Sequence, residues 1–310
     1  MAKKNRKNEQ DQNLPEGMSR RQAKLAARAA EREALDKDPR PFGGLAAEAD
    51  LVAMQEFVPA GTATLPLKGS DRTVTLGTVL PGAGAGLVRD QQFGGDAFVG
   101  LQVQKRSHNP GRDLAYALNW AANAAPGETI ESTVADGNQP KLTDLIDADT
   151  TLDITVHDDF NWWAPEGGQV PFEVQQAIQR SNETIAPTRR VTANVPGSAW
   201  WTNPGGGKAY LRWVRIDDNE SALLSALARV AARGDLHVGE NTKFAGVFRT
   251  HGVIVPVFDL HDTDKAAEEY NAELERVNTA IEAELSNDEQ LTAEERRQLE
   301  NIKSRQVTIR

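Results

Sequence analysis

Cysteine is absent from this 310-residue chain. Disulfides, thiol nucleophiles, iron-sulfur clusters and Cys-ligated zinc are therefore excluded, and a metal site has only His, Asp and Glu to draw on. Long apolar runs are missing too. None approaches the roughly eighteen residues needed to cross a bilayer, and MAKKNRKNEQDQN at the start lacks the apolar segment of a secretory signal. The expectation is a cytoplasmic protein without an integral membrane segment. Phosphate loops are the third absence. NPGGGKAY ends in Gly-Lys-Ala and runs into a strand, whereas a P-loop ends in Gly-Lys-Ser/Thr before a helix. GAGAG (82–86) precedes LVRD rather than a helix, so it reads as a turn and not as a dinucleotide loop. ATP hydrolysis and Rossmann-type cofactor binding are set aside, and no cofactor is expected.

What is present is enough to fold. Apolar residues make up 39% of the chain, which at this length supports a substantial core and about two domains. Charge is unevenly placed. Residues 1–32 hold nine Lys/Arg against four Asp/Glu, a surplus of five, which leaves −15 on the rest of a chain whose net charge is −10. Between Asp259 and Glu300 the acids number fourteen against four bases.

The basic end contains a helix signal. Ser19 and Gln22 have capping-box spacing, the Ala/Leu/Glu/Arg-rich run to Leu35 favours helix, and Asp38-Pro39 and Arg40-Pro41 stop it. Arg21, Lys24, Arg28 and Arg32, with Arg20 beside them, make one cationic face. Its apolar side is mostly alanine, which is too weak for membrane insertion. An RNA, a ribonucleoprotein or an acidic protein is the expected partner of this arm; a merely solvated helix is the alternative.

From Phe42 onward the pattern is globular. A helix is expected over 44–58, stopped by Pro59, then strands over 72–79, 85–90 and 97–103. A helix follows with Asn109 as its cap, Pro110 in its first turn and a stripe of Leu114, Leu118 and Ala121. The order recurs later: strands over 198–203 and 209–216, then a helix with Asp217 and Glu220 at capping-box spacing, the stripe Leu223, Leu227 and Val230, and Gly234 at its end. Between them lie a strand candidate at 151–160 and a helix around PFEVQQAIQRSNETI. A hairpin, FAGVFR-THG-VIVPVFDL, follows. The fold class expected is α/β (α+β): two related strand-strand-helix units in a layered sheet-and-helix body, flanked by N- and C-terminal helices. The divisions expected are 1–40 for the arm, 41–150 and 151–262 for the two units, and 263–310 for acidic C-terminal helices. In the last of these Ala267, Tyr270, Leu274, Val277, Ile281 and Leu285 form an apolar stripe, and Thr292 with Glu295 caps the final helix.

The blocks SRRQAKLAARAAERE with DPRPF, AEADLVAMQEFVPA, VTLGTVLPGA, LDITVHDDFNWW, FAGVFRTHGVIVPVFDL and LTAEERRQLENIKSRQVTIR resemble an actinobacterial domain-of-unknown-function family, nearly end to end. Its members are often labelled preprotein translocase SecA-like. That label traces to a Cys-rich zinc motif appended to some of them, which this chain lacks. The resemblance implies an identity and no activity, and it carries no catalytic residue to these positions.

Two constellations remain. VHDDF puts His157 and Asp159 at one strand end, and DLHDTD puts His261 and Asp262 after another, where they would hold a divalent metal for a hydrolase if they converged. The competing reading is ordinary strand ends and turns. The second is aromatic: of the pairs Trp162-Trp163 and Trp200-Trp201, one member each is expected on an outer face. Trp163 and Trp201 are the candidates, near Arg212 and Arg215, for stacking a base, sugar or peptide side chain. Without a nucleophile, phosphate loop or tight ligand motif, a non-catalytic interaction protein is the reading preferred over a metal hydrolase or a structural, oligomeric module.

Overall fold

The computed structural model describes residues 21, 25, 38–82, 84–134, 139–164 and 170–308. Its first sheet arises from simple alternation. β1 (Gly61–Pro66) turns Ala63 and Leu65 inward and leaves Thr64 and Pro66 exposed, and β2 (Thr73–Gly77) buries Val74 and Leu76 on the same face. With β3 (Gly86–Val88), β4 (Ala97–Gly100), β5 (Thr129–Ile130) and β6 (Thr155–Val156), the order is β5-β3-β4-β2-β1-β6. Only the β2–β4 pair is parallel.

A second sheet follows from β7 (Thr188–Val191), β8 (Ser198–Thr202), β9 (Ala209–Val214), β10 (Thr242–Thr250), β11 (Val253–Leu260) and β12 (Val307–Thr308), in the order β12-β10-β11-β9-β8-β7. Here only β10–β12 is parallel. The protein is thus built from helices and two six-stranded sheets, an α/β fold as its sequence pattern predicts.

Helix α1 (Glu48–Glu56) joins the two. Seven of its nine residues are buried, so it has no solvent face, the signature of a helix inside a protein. One apolar core contains Leu51, Val52 and Met54 together with Val74, Leu76 and Val99 of the first sheet and Trp200, Val214, Val253 and Val255 of the second. Gln55 Nε2 donates to Leu101 O at 3.0 Å and Gln102 Nε2 to Met54 O at 2.8 Å, satisfying carbonyls that burial would otherwise strand. Helix α2 (Pro110–Asn123) adds Leu114, Leu118 and Ala121 to this core, and Asn109 Oδ1 caps it by accepting from Arg112 N. A short α3 (Leu142–Leu145) lies beside α2.

The far face of the second sheet is covered by α5 (Glu220–Ala232), α6 (Asn271–Leu285) and α7 (Ala293–Ser304). Leu211, Trp213, Phe258 and Leu260 meet Leu223, Leu227, Leu274, Val277 and Ile281 there. The acidic helix α6 therefore spends its stripe on its own body. The cap of α5 is Asn219, which accepts from Ala222 N; the Asp217–Glu220 box does not form, because Asp217 is held by Arg215 instead. Thr292 and Glu295 do make their reciprocal cap.

One boundary shifts. Residues 151–182, grouped by periodicity with the second unit, extend the first: β6 pairs with β1, and α4 (Phe172–Asn182) sets Ile178 against Leu80, Phe98, Phe160 and Trp163 on the outer side of the first sheet. The strand-strand-helix units β3-β4-α2 and β8-β9-α5 do hold matching places, since β4 and β9 are each third from an edge with an antiparallel neighbour outside. The correspondence ends there, because on the inner side β4 is parallel to β2 while β9 is antiparallel to β11.

Candidate functional site

Of the cationic arm, Arg21 is helical and exposed, as is Leu25; Arg20, Lys24, Arg28 and Arg32 lie outside the described residues. Its root is well defined. Asp38 Oδ1 accepts from Arg40 N, and the two prolines then lay the chain over two glycines. A Cβ on Gly252 would stand 2.1 Å from Pro39 O, and one on Gly111 would stand 2.1 Å from Pro41 O. Glycine at both positions is what lets the segment Pro39–Phe42 touch the second sheet's hairpin tip and the start of α2 at once.

Three side-chain contacts hold that wedge. Arg40 forks onto Glu48, with Nε–Oε1 2.6 Å and Nη2–Oε2 2.8 Å, and Glu48 is only 2% exposed at the first turn of α1, where a carboxylate also suits the helix dipole. The hydrogen bond to Glu48 raises the Arg40 guanidinium above its ordinary value against the opposing effect of burial. Phe42 is buried with its ring 5.4 Å from that of His251. His251, at φ +48° beside Gly252 at φ +79°, occupies the left-handed pair of a primed hairpin turn, and its Nε2 lies 2.6 Å from Glu56 Oε1 at the other end of α1. The arm is thus rooted at both ends of the central helix.

The His/Asp constellations are not brought together. His157 follows β6 at an edge of the first sheet, whereas His261 follows β11 inside the second. His157 Nε2 is 2.8 Å from Thr62 Oγ1, and its ring stacks on Trp162 at 5.0 Å. Burial lowers its pKa, against the opposing pull of Asp159 and Asp158. Asp159 accepts from Asn161 N and Nδ2, and Asp262 Oδ1 from Asp264 N; both are turn contacts. Among the described residues no three His, Asp or Glu side chains are grouped to hold a metal ion.

The aromatic reading also needs correction. Trp163 is 4% exposed, packed edge-on against Phe98 beneath α4; its neighbour Trp162 is the half-buried one. Trp200 is fully buried, with Nε1 donating to Ser198 Oγ, which in turn donates to Asp50 on α1. Trp201 is half-buried against the second core. Trp200 and Trp201 split by face as strand geometry requires, whereas Trp162 and Trp163 sit in a single 3-10 turn and pack into one cluster; both faces of the second sheet are covered and Trp163 is buried, so neither candidate is a free stacking platform. Arg215 is 1% exposed, bound to Asp217, Asn278 and Glu282 and stacked over Trp213.

Residues 41–310 match DUF5926, a family of unknown function. The chain belongs to that family. The match begins at Pro41, so the DUF5926 region takes in Pro41 and Phe42 of the wedge, both sheets and all seven helices named above, and excludes Pro39, Arg40 and the cationic arm. The family description assigns no activity. Neither a curated protein nor a solved structure matches the chain. No helix among the described residues is long and apolar enough to cross a membrane.

Sequence reasoning passed over the root of the arm. DPRPF reads as a helix stop, and the partners of Arg40, Phe42 and Pro39 lie 8 to more than 200 positions away. The signal available was the pairing of a Pro-x-Pro segment with isolated glycines at Gly111 and Gly252, which predicts close backbone approach without saying to what.

Proposed function

We propose that this DUF5926 protein is a non-catalytic interaction protein that holds RNA, alone or in a ribonucleoprotein, through its cationic arm. The observation that carries the reading is the arm's surplus of five positive charges, set against −15 on the remainder and attached to the body by a fixed wedge. Opposite charge on one chain keeps the arm from being a general property of the surface, and a fixed root gives the bound partner a defined position relative to the body. Exposure of Arg21 fits this use.

The test is anisotropy of a labelled single-stranded RNA with the full chain and with a variant carrying R21Q, K24Q, R28Q and R32Q, which keeps helix propensity. Four lost phosphate contacts on a single strand flatten the log K against log salt slope by about 3. Equal affinity of parent and variant at 50 and 200 mM salt would refute the proposal. Binding of an acidic peptide, competed by neither RNA nor ribonuclease treatment, would move the partner to the protein class.

A further inference from the structure

The half-buried arginines of the body reach acceptors: Arg72 the carbonyls of Ala121 and Ala124, Arg89 that of Trp163, Arg190 the carboxylate of Asp50. Arg212 is different. It leaves β9 opposite Trp200, half-buried, with its guanidinium 5.7 Å from the ring of Phe57 and 5.4 Å from that of Tyr210, and it makes no hydrogen bond or ion pair among the described residues. Burial lowers its pKa, the expected response of a cation without a counter-charge. Aromatic faces offset part of that desolvation, but a desolvated guanidinium still favours an oxyanion strongly.

Arg212 lines a cavity of about 380 Å³ at the C-terminal end of α1, a size that suits a small organic ligand. Its apolar walls include Phe57, Phe248, Val257 and Val307, and Val307 is 61% exposed. A second arginine, the exposed Arg305, lines the rim from the end of α7, again without an acceptor among the described residues. It gets there over the bulge of β10, where Gly246 has φ +140° and a Cβ would come within 3.2 Å of Arg305 Cβ. Among the described residues the one carboxylate on the rim, Glu56, is already held by His251.

We propose that this cavity binds a small organic oxyanion, a carboxylate or phosphate monoester on an aromatic or aliphatic body. Arg212 and Arg305 take the anion, while Phe57, Val257 and Val307 take the body. The site owes nothing to the arm, so it stands or falls independently of RNA binding.

Titration calorimetry on the full chain with benzoate, phenyl phosphate, benzyl alcohol and inorganic phosphate tests it. One of the two aromatic anions should saturate with the other weaker, which separates carboxylate from phosphate, and both neutral benzyl alcohol and bare phosphate should be at least about tenfold weaker. R212Q should lower affinity by about tenfold or more, the loss of a charge-assisted contact. Its folding is checked by circular dichroism. V307E, on an exposed side chain, places a carboxylate at the mouth and should also weaken binding, so the result does not depend on Arg212 variants folding. The four-fold arm variant should bind as the parent does. No saturation by either aromatic anion, equal binding of benzyl alcohol, or parental affinity in both R212Q and V307E overturns the proposal.

Discussion

Three glycine-to-alanine substitutions separate backbone strain from steric collision at the root of the arm. Gly206, in the turn before β9, has φ +76° and nothing within 4 Å of a built Cβ, so G206A incurs only left-handed strain, about 1 kcal/mol. Gly111 has an ordinary helical position and a Cβ there would stand 2.1 Å from Pro41 O, so G111A incurs only the collision. Because Ala exceeds Gly in helix propensity by up to about 1 kcal/mol, propensity alone predicts that G111A stabilises. The wedge predicts the opposite sign. The obstruction is backbone, so relief requires Pro39–Phe42 to lift, which weakens the burial of Phe42, worth about 1.5–3 kcal/mol in full, and loosens the fork on Glu48. A net loss of about 2–3 kcal/mol is expected. G252A combines φ +79° with a 2.1 Å approach to Pro39 O and should lose about 3–4 kcal/mol. Urea unfolding of the full chain, followed by tryptophan fluorescence, gives the three values on one scale. If G111A lies within about 0.5 kcal/mol of the parent or above it, the wedge is not a packed contact and the reasoning fails.

R215A strips a 1%-exposed guanidinium from Asp217, Glu282 and the face of Trp213, and should cost about 3–5 kcal/mol in the same unfolding assay; a loss below about 1 kcal/mol would show that the network is not buried in solution. The lowered pKa of His157 means that the folded state binds its proton less readily than the unfolded chain, whose imidazole titrates near the ordinary 6.5. Its stabilising contribution is full above that value and is lost as pH falls through it towards the folded pKa. H157Q should therefore reduce the drop in unfolding midpoint between pH 7.5 and 5, and an unchanged drop would count against the assignment.

Much of the local structure was readable in the sequence because its causes are local. The spacing of Leu114, Leu118 and Ala121, with Asn109 before them and Pro110 at the first turn, specifies α2 without reference to anything else. Thr292 and Glu295 specify the start of α7 equally well, and the hairpin β10–β11 is written in two apolar runs around His251-Gly252. The arm's charge surplus is a property of composition and needs no fold at all. Other features exist only through distant partners. GTATLP, with a glycine, three polar or proline positions and little apolar content, becomes β1 because β2 and β6 pair on its two sides. Thr155–Val156 joins the first sheet and Val307–Thr308 the second by the same kind of long-range pairing. Alternation assigned Trp200 and Trp201 to opposite faces; which face was covered depended on α1 on one side and α5 to α7 on the other. Arg212 on β9 and Arg215 just past its end have the same side-chain chemistry, yet α6 brings Glu282 to one of them, and the cavity beside Phe57 leaves the other without a counter-charge. Periodicity and caps are set by neighbours in the chain, whereas desolvation and charge pairing are set by whatever the packed elements bring alongside.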